Sequence, residues 1–181
     1  MMKTIRCALL ATAGVWVSSM GHAQGFVSVL QVMDDMIDTP YECADYDPVT
    51  DSCSGVSLMY SEEGIIYNAA WFALPDATGD PWVFEAFSEY EFLFGWGCPP
   101  SQGQGAGISY KSGGTPELGA QYAEQIEAQV AASFDPFAPC AGYYPAGPRQ
   151  YVVEFRHRNG ELADQASIRV QFFAEPKTVR P

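Results

Sequence analysis

Apolar residues recur along this chain with two different periods, and the change of period divides it into elements. From Phe26 to Ile37 the apolar positions Phe26, Val29, Leu30, Met33, Met36 and Ile37 fall at helical spacing, with Asp34, Asp35 and Asp38 mainly elsewhere. This predicts a short amphipathic helix, whose acids sit at the C-terminal end, against the helix dipole. From Gly55 the period becomes two. Val56, Leu58 and Tyr60 alternate with Ser57, Met59 and Ser61, and Glu62-Glu63-Gly64 offers a tight connection into Ile65 to Leu74, which is apolar on both faces and reads as an interior strand. After a turn at Pro75 to Pro81, the clearest alternation runs from Trp82 to Trp96. It sets Trp82, Phe84, Ala86, Ser88, Tyr90, Phe92, Phe94 and Trp96 opposite Glu85, Phe87, Glu89 and Glu91.

Gly97 to Gly114 is loop by composition. Thr115-Pro116-Glu117 then supplies an N-cap, a first-turn proline and a dipole-matched acid, and Leu118, Tyr122, Ile126 and Val130 form one stripe, which predicts a helix from Thr115 to Ser133. Asp135 to Pro148 reads as a Pro, Gly and Tyr loop. Tyr151, Val153, Phe155 and His157 alternate with polar residues, Asn159-Gly160 is a two-residue turn signal, and Ile168, Val170 and Phe172 resume the alternation as a hairpin. The expected fold class is α+β: an antiparallel sheet of about five strands packed by one main helix, Thr115 to Ser133, in a single domain over residues 24–181.

The first residues do not belong to that domain. A basic start at Lys3 and Arg6, an apolar stretch from Cys7 to Met20 and the small-residue exit Gly21-His22-Ala23 read as a secretory signal, residues 1–23, cleaved before Gln24. The stretch is short of the roughly 20 residues a membrane span needs, so after cleavage the chain is not expected to span a membrane. Cleavage leaves Cys43, Cys53, Cys98 and Cys140, an even set that in an exported chain reads as two disulfides, with Cys43–Cys53 and Cys98–Cys140 favoured among three pairings. The expected location is periplasmic or secreted.

Charge narrows the chemistry. The full chain carries 22 acidic and 9 basic side chains, a net of −13, and losing Lys3 and Arg6 deepens this to −15. Such a surface repels nucleic acid. Lys111 is the sole basic residue between Gln24 and Pro148, whereas Arg149, Arg156, Arg158, Arg169, Lys177 and Arg180 crowd the C-terminal part. Arg156, Arg158 and Arg169 would stand on the polar faces of the hairpin as a basic stripe, pairing with neighbouring acids or binding an anionic partner.

His157 is the one histidine left after cleavage, so no zinc site of two or three histidines can be built, and no cofactor is called for. Glu85, Glu89 and Glu91 share one strand face at spacings that carboxylate pairs of glycosidases use, although alternating acids are also what a solvated strand carries. Asp45, Asp47 and Asp51 between Cys43 and Cys53 are hard oxygen ligands that invite calcium, yet they fail the EF-hand pattern and serve equally as turn formers. Gly105 to Ser112 lacks the second glycine of a phosphate loop.

These readings favour an exported, non-enzymatic protein of the bacterial envelope that binds or regulates an envelope or extracellular protein, with Tyr143, Tyr144 and Pro145 beside the Gly-rich loop as contact surface. A small hydrolase using Glu85, Glu89 or Glu91 with His157 is one alternative. A calcium-stabilised module is the other. The sequence specifies no oligomeric state.

Overall fold

A computed structural model describes residues 25–76, 79–100, 107–132 and 138–181. The expected signal, residues 1–23, lies outside them, as do parts of three connections and Ser133, where the long helix was expected to finish. The elements in chain order are α1 (Val29–Asp35), β1 (Tyr41–Ala44), β2 (Ser52–Cys53), β3 (Gly55–Glu62), β4 (Ile65–Pro75), β5 (Pro81–Leu93), β6 (Trp96–Cys98), β7 (Gly107–Ser112), α2 (Pro116–Ala132), β8 (Cys140–Gly147), β9 (Gln150–Arg156), β10 (Ile168–Phe173) and β11 (Thr178–Val179).

The fold class differs from the expected one. The described residues are mostly β, with a nine-stranded sheet whose pairings are all antiparallel and two helices. Hydrogen bonding runs β4-β3-β1-β10-β9-β8-β6-β5-β7, and β4 also pairs with β5. That extra pairing closes a ring of eight, β1-β3-β4-β5-β6-β8-β9-β10, in which neighbours follow chain order: an up-and-down barrel closed between β6 and β8 by a single ladder pair, with β7 attached outside the ring to the far half of β5. The expectation of about five strands fell short because β6, β7 and β8 lie in segments whose glycines and prolines read as loop. In β8, Pro145 is tolerated since β6 pairs with this strand only at Gly97↔Ala141 and Val27 bridges Tyr143, leaving the edge beyond unpaired.

Two hairpins turn on residue pairs with positive φ, Glu63-Gly64 and Phe94-Gly95, the type I′ geometry that matches strand twist. The β5 alternation therefore stops at Leu93, and Phe94 stands 88% exposed on the turn. Asn159-Gly160 does not make a two-residue hairpin: β9 ends at Arg156, the chain turns through His157 to Gly160, and an irregular stretch leads to β10.

One end of the barrel is plugged. Val29, Val32 and Met36 of the α1 segment pack with Ile66, Tyr143, Tyr151, Val153, Val170 and Phe172 in a single core. Burying these side chains, at about 1.5–3 kcal/mol each, is what holds so short a helix in place, because helices of this length do not persist alone. The predicted Phe26–Ile37 helix is thus shorter, and Phe26 instead stacks on Trp96 with ring centroids 4.8 Å apart.

The β4–β5 hairpin is longer than the barrel. Ile66, Asn68 and Tyr90 face the interior; farther along the same face, Phe72, Trp82 and Phe84 pack beneath α2 at Ala123 and Ile126. On the opposite face, Trp71, Ala73 and Val83 meet Val56, Val179 and the Cys43–Cys53 bridge. The second bridge, Cys98–Cys140, ties β6 to β8 next to their single ladder pair.

Candidate functional site

The barrel interior holds a cavity of about 370 Å³, and every strand of the ring contributes to its wall. Its size falls within the range of small-molecule sites, and eight-stranded barrels have interiors just wide enough to be filled by side chains or to hold one small ligand. Val29 lies at the plugged end. The opposite end is rimmed by Pro99, Pro139, Phe155, Ile168 and the exposed Gln165, which the irregular β9–β10 connection supplies. Met59, Ile66, Val153 and Val170 make most of the wall apolar.

Polar groups enter at few points. Glu42 of β1 is the one charged side chain among the described residues of the lining. Its Oε2 accepts a hydrogen bond of 2.6 Å from the Tyr143 hydroxyl on β8, across the barrel interior, and Ser57 on the adjacent strand bonds the same carboxyl. Glu42 is partly buried and lines the cavity. Desolvation therefore raises its pKa to about 6, against the lowering effect of the Tyr143 and Ser57 hydrogen bonds. The Tyr143 hydroxyl is pushed well above its usual value by burial first and by the Glu42 charge second. Asn68 Oδ1, on β4, is buried without a hydrogen-bond partner.

The expected site residues are distributed differently. Tyr143, expected on a loop surface, is instead 4% exposed and points into the barrel, because Cys140 to Gly147 is a strand. Tyr144, its neighbour, faces outward against the edge of Phe26. Glu85, Glu89 and Glu91 lie on the outer face of β5: Glu85 pairs with Lys111 at 2.5 Å and accepts from Ser109, and Glu91 pairs with Arg158 at 3.1 Å. Glu89 stands opposite Tyr67 in the β4–β5 register.

His157 follows the end of β9 and borders a separate outer recess of about 140 Å³ with Phe94, Trp96, Arg156 and Arg158. Arg156 lies over the Trp96 ring and pairs with Glu154; Arg158 also donates to the Pro99 carbonyl. Arg169, on β10, borders a third recess with Asp45 and Tyr46. The three arginines thus do not share one recess.

In the β1–β3 connection, Asp47 accepts from the Val49 backbone N–H and the Thr50 hydroxyl, and these bonds hold its carboxyl below the usual range. Asp51 accepts from Lys177 and the Tyr46 hydroxyl, with the same effect. Asp45 turns the chain with φ 47° and accepts from Ser54. Among the described residues no group of three His, Cys, Asp or Glu converges as metal ligands would, and no helix is long and apolar enough to cross a membrane.

Sequence reading missed Glu42, Ser57 and Asn68. Asn68 carried the one usable signal, as a lone amide within the apolar run Ile65 to Leu74. Comparison of the chain with protein-family models, with curated proteins and with solved structures finds no match in any of the three.

Proposed function

We propose that this is an exported, non-enzymatic binding protein of the bacterial envelope whose barrel interior captures a small, largely apolar ligand. One observation carries the reading: a cavity of about 370 Å³ enclosed by all the strands of a closed ring, plugged at one end by α1 and reached from the other. The two disulfides fit a periplasmic or extracellular setting. The cavity replaces the Tyr143 and Tyr144 loop as the place where binding is expected, and the ligand is a small molecule rather than a protein surface.

The test is titration of the mature chain with an environment-sensitive apolar fluorophore. Saturable uptake at one site per chain is expected. Ile168→Trp, which places a bulkier ring at the rim, should weaken uptake at least tenfold while the far-UV circular dichroism is unchanged. Uptake that is unsaturable, or equal in Ile168→Trp, counts against the cavity as the site.

A further inference from the structure

The polar groups of the cavity are matched to one kind of ligand. Glu42 has two carboxylate oxygens with about four acceptor positions, of which Tyr143 and Ser57 occupy two. No Lys, Arg or His among the described residues lines the cavity to compensate its charge, and the titratable groups that face it from the other strands are the hydroxyls of Tyr143 and Tyr90. Asn68 Oδ1 is a second acceptor in the same wall that receives no donor. What the cavity lacks is therefore positive charge, while Glu42 and Asn68 Oδ1 leave acceptor positions open, and it offers no cation to an anionic head group.

Resting on the reading of the barrel as a small-molecule carrier, we propose that its ligand class is the small apolar amine, with a protonated nitrogen paired to the Glu42 carboxylate and a hydrocarbon or aromatic body against Met59, Ile66, Val153 and Ile168. A carboxylic acid of equal size would place a second negative charge beside Glu42, and one of the two would have to take up a proton. An alcohol meets the need for a donor but leaves the charge unpaired. The volume, equal to about a dozen waters at roughly 30 Å³ each, suits a body of eight to ten carbons.

Three probes of one chain length decide it: octylamine, 1-octanol and octanoate, each titrated by displacement of the apolar fluorophore at pH 7.5. Octylamine should bind at least tenfold more tightly than octanol, and octanoate most weakly. Lowering the pH from 7.5 to 5 should weaken octylamine about tenfold, as Glu42 takes up its proton, and leave octanol unchanged. Glu42→Gln should erase the preference for octylamine over octanol, with an unchanged far-UV circular dichroism spectrum reporting that the variant folds. Ile168→Trp retains the acidic surface, so loss of octylamine binding there separates the cavity from general attraction of cations to the protein.

Octanoate binding as tightly as octylamine, or an amine preference that survives Glu42→Gln, overturns the amine assignment and leaves the carrier reading intact. If none of the probes displaces the fluorophore, both fall.

Discussion

Glu42 shows how one side chain sets both the chemistry and a weakness of the barrel. Its pKa of about 6 lies above the ordinary value of 4.5, so the folded protein prefers it protonated. The stability attached to that preference is fully present below pH 4.5 and is lost as pH rises through 6, a difference of about 2 kcal/mol at 1.36 kcal/mol per pH unit. Glu42→Gln, which has no charge to desolvate, should therefore raise Tm at pH 7.5 by roughly 4–8 °C and leave it little changed at pH 4. A scan of both proteins across pH 4–8 by differential scanning calorimetry checks this, and an equal shift at both ends would contradict the assignment.

Tyr143→Phe acts in the opposite direction. It removes the 2.6 Å bond to a buried carboxylate and should cost about 1.5–3 kcal/mol at neutral pH. In the Glu42→Gln background the same change should cost less, and the difference, read from a double-mutant cycle in urea, measures how far the two groups act as a pair.

Among the elements, β6 and β8 form the narrowest seam of the ring, with one ladder pair at Gly97↔Ala141. Several contacts reinforce it: the Cys98–Cys140 bridge, the Val27 bridge to Tyr143, the Val29 N–H to the Gly95 carbonyl at 2.9 Å, and Phe26 stacked on Trp96. Gly142 belongs to this arrangement, because a Cβ there would overlap the Trp96 ring. Replacing Cys98 and Cys140 by serine should lower stability by about 4 kcal/mol on the loop-entropy model and also weaken fluorophore uptake. Replacing Cys43 and Cys53 should cost about 2–3 kcal/mol and spare uptake, since that bridge lies outside the barrel wall. Equal losses of uptake in the two variants would show that the seam has no special part in shaping the cavity.

The same elements show what the sequence could reveal. The helix at Pro116 was legible in place but not in its packing face, since Leu118, Tyr122 and Val130 of the expected stripe are exposed and Gly119 and Ala123 are buried; β4 was legible from its apolar run, and β5, β9 and β10 from alternation, because these strands put apolar residues on a buried face. In β3 the alternation misleads. Val56, Leu58 and Tyr60 form its apolar row, yet Ser57 and Met59 are the residues that line the cavity, while Val56 is covered by the C-terminal segment and Tyr60 stacks with Tyr67 on the outside. A barrel that keeps space and polar groups inside inverts the rule that the polar face is the wet one. For this reason Glu42 and Ser57 were invisible as site residues, and the exposed carboxylates of β5 drew notice instead. Ring closure was illegible for another reason: the β10–β1 pairing joins strands from opposite ends of the domain and depends on tertiary register that no local pattern encodes.

The whole chain carries a net charge of −13 on a surface with few bases, and its acids repel one another in the folded state more than in the expanded one. Raising ionic strength from about 0.02 M to 0.3 M shortens the screening length below 10 Å and should raise Tm at pH 7.5. Glu42 lines the cavity and is not part of the outer acidic surface, so the increment in Glu42→Gln should match the wild type. A fall in Tm with salt would show that the ion pairs Glu85–Lys111, Glu91–Arg158 and Asp51–Lys177 outweigh the general repulsion.

At the seam, the chain leaves the ring at Cys98 and returns at Cys140, 42 positions later, with the two Cα atoms 4.1 Å apart. Between those cysteines β7 pairs with β5 and α2 covers Phe72, Trp82 and Phe84, so the insert rests on the protruding half of the β4–β5 hairpin as well as on a stem that is already clamped shut. The cost of closing an inserted loop grows slowly with its length, and here the clamp rather than the insert holds the ends together. The connections of this insert are where the molecule can change length without re-registering a strand of the ring, provided β7 and α2 keep their places on β5. Since Pro99 and Pro139 also rim the mouth, such a change would alter what reaches the cavity while leaving its wall untouched.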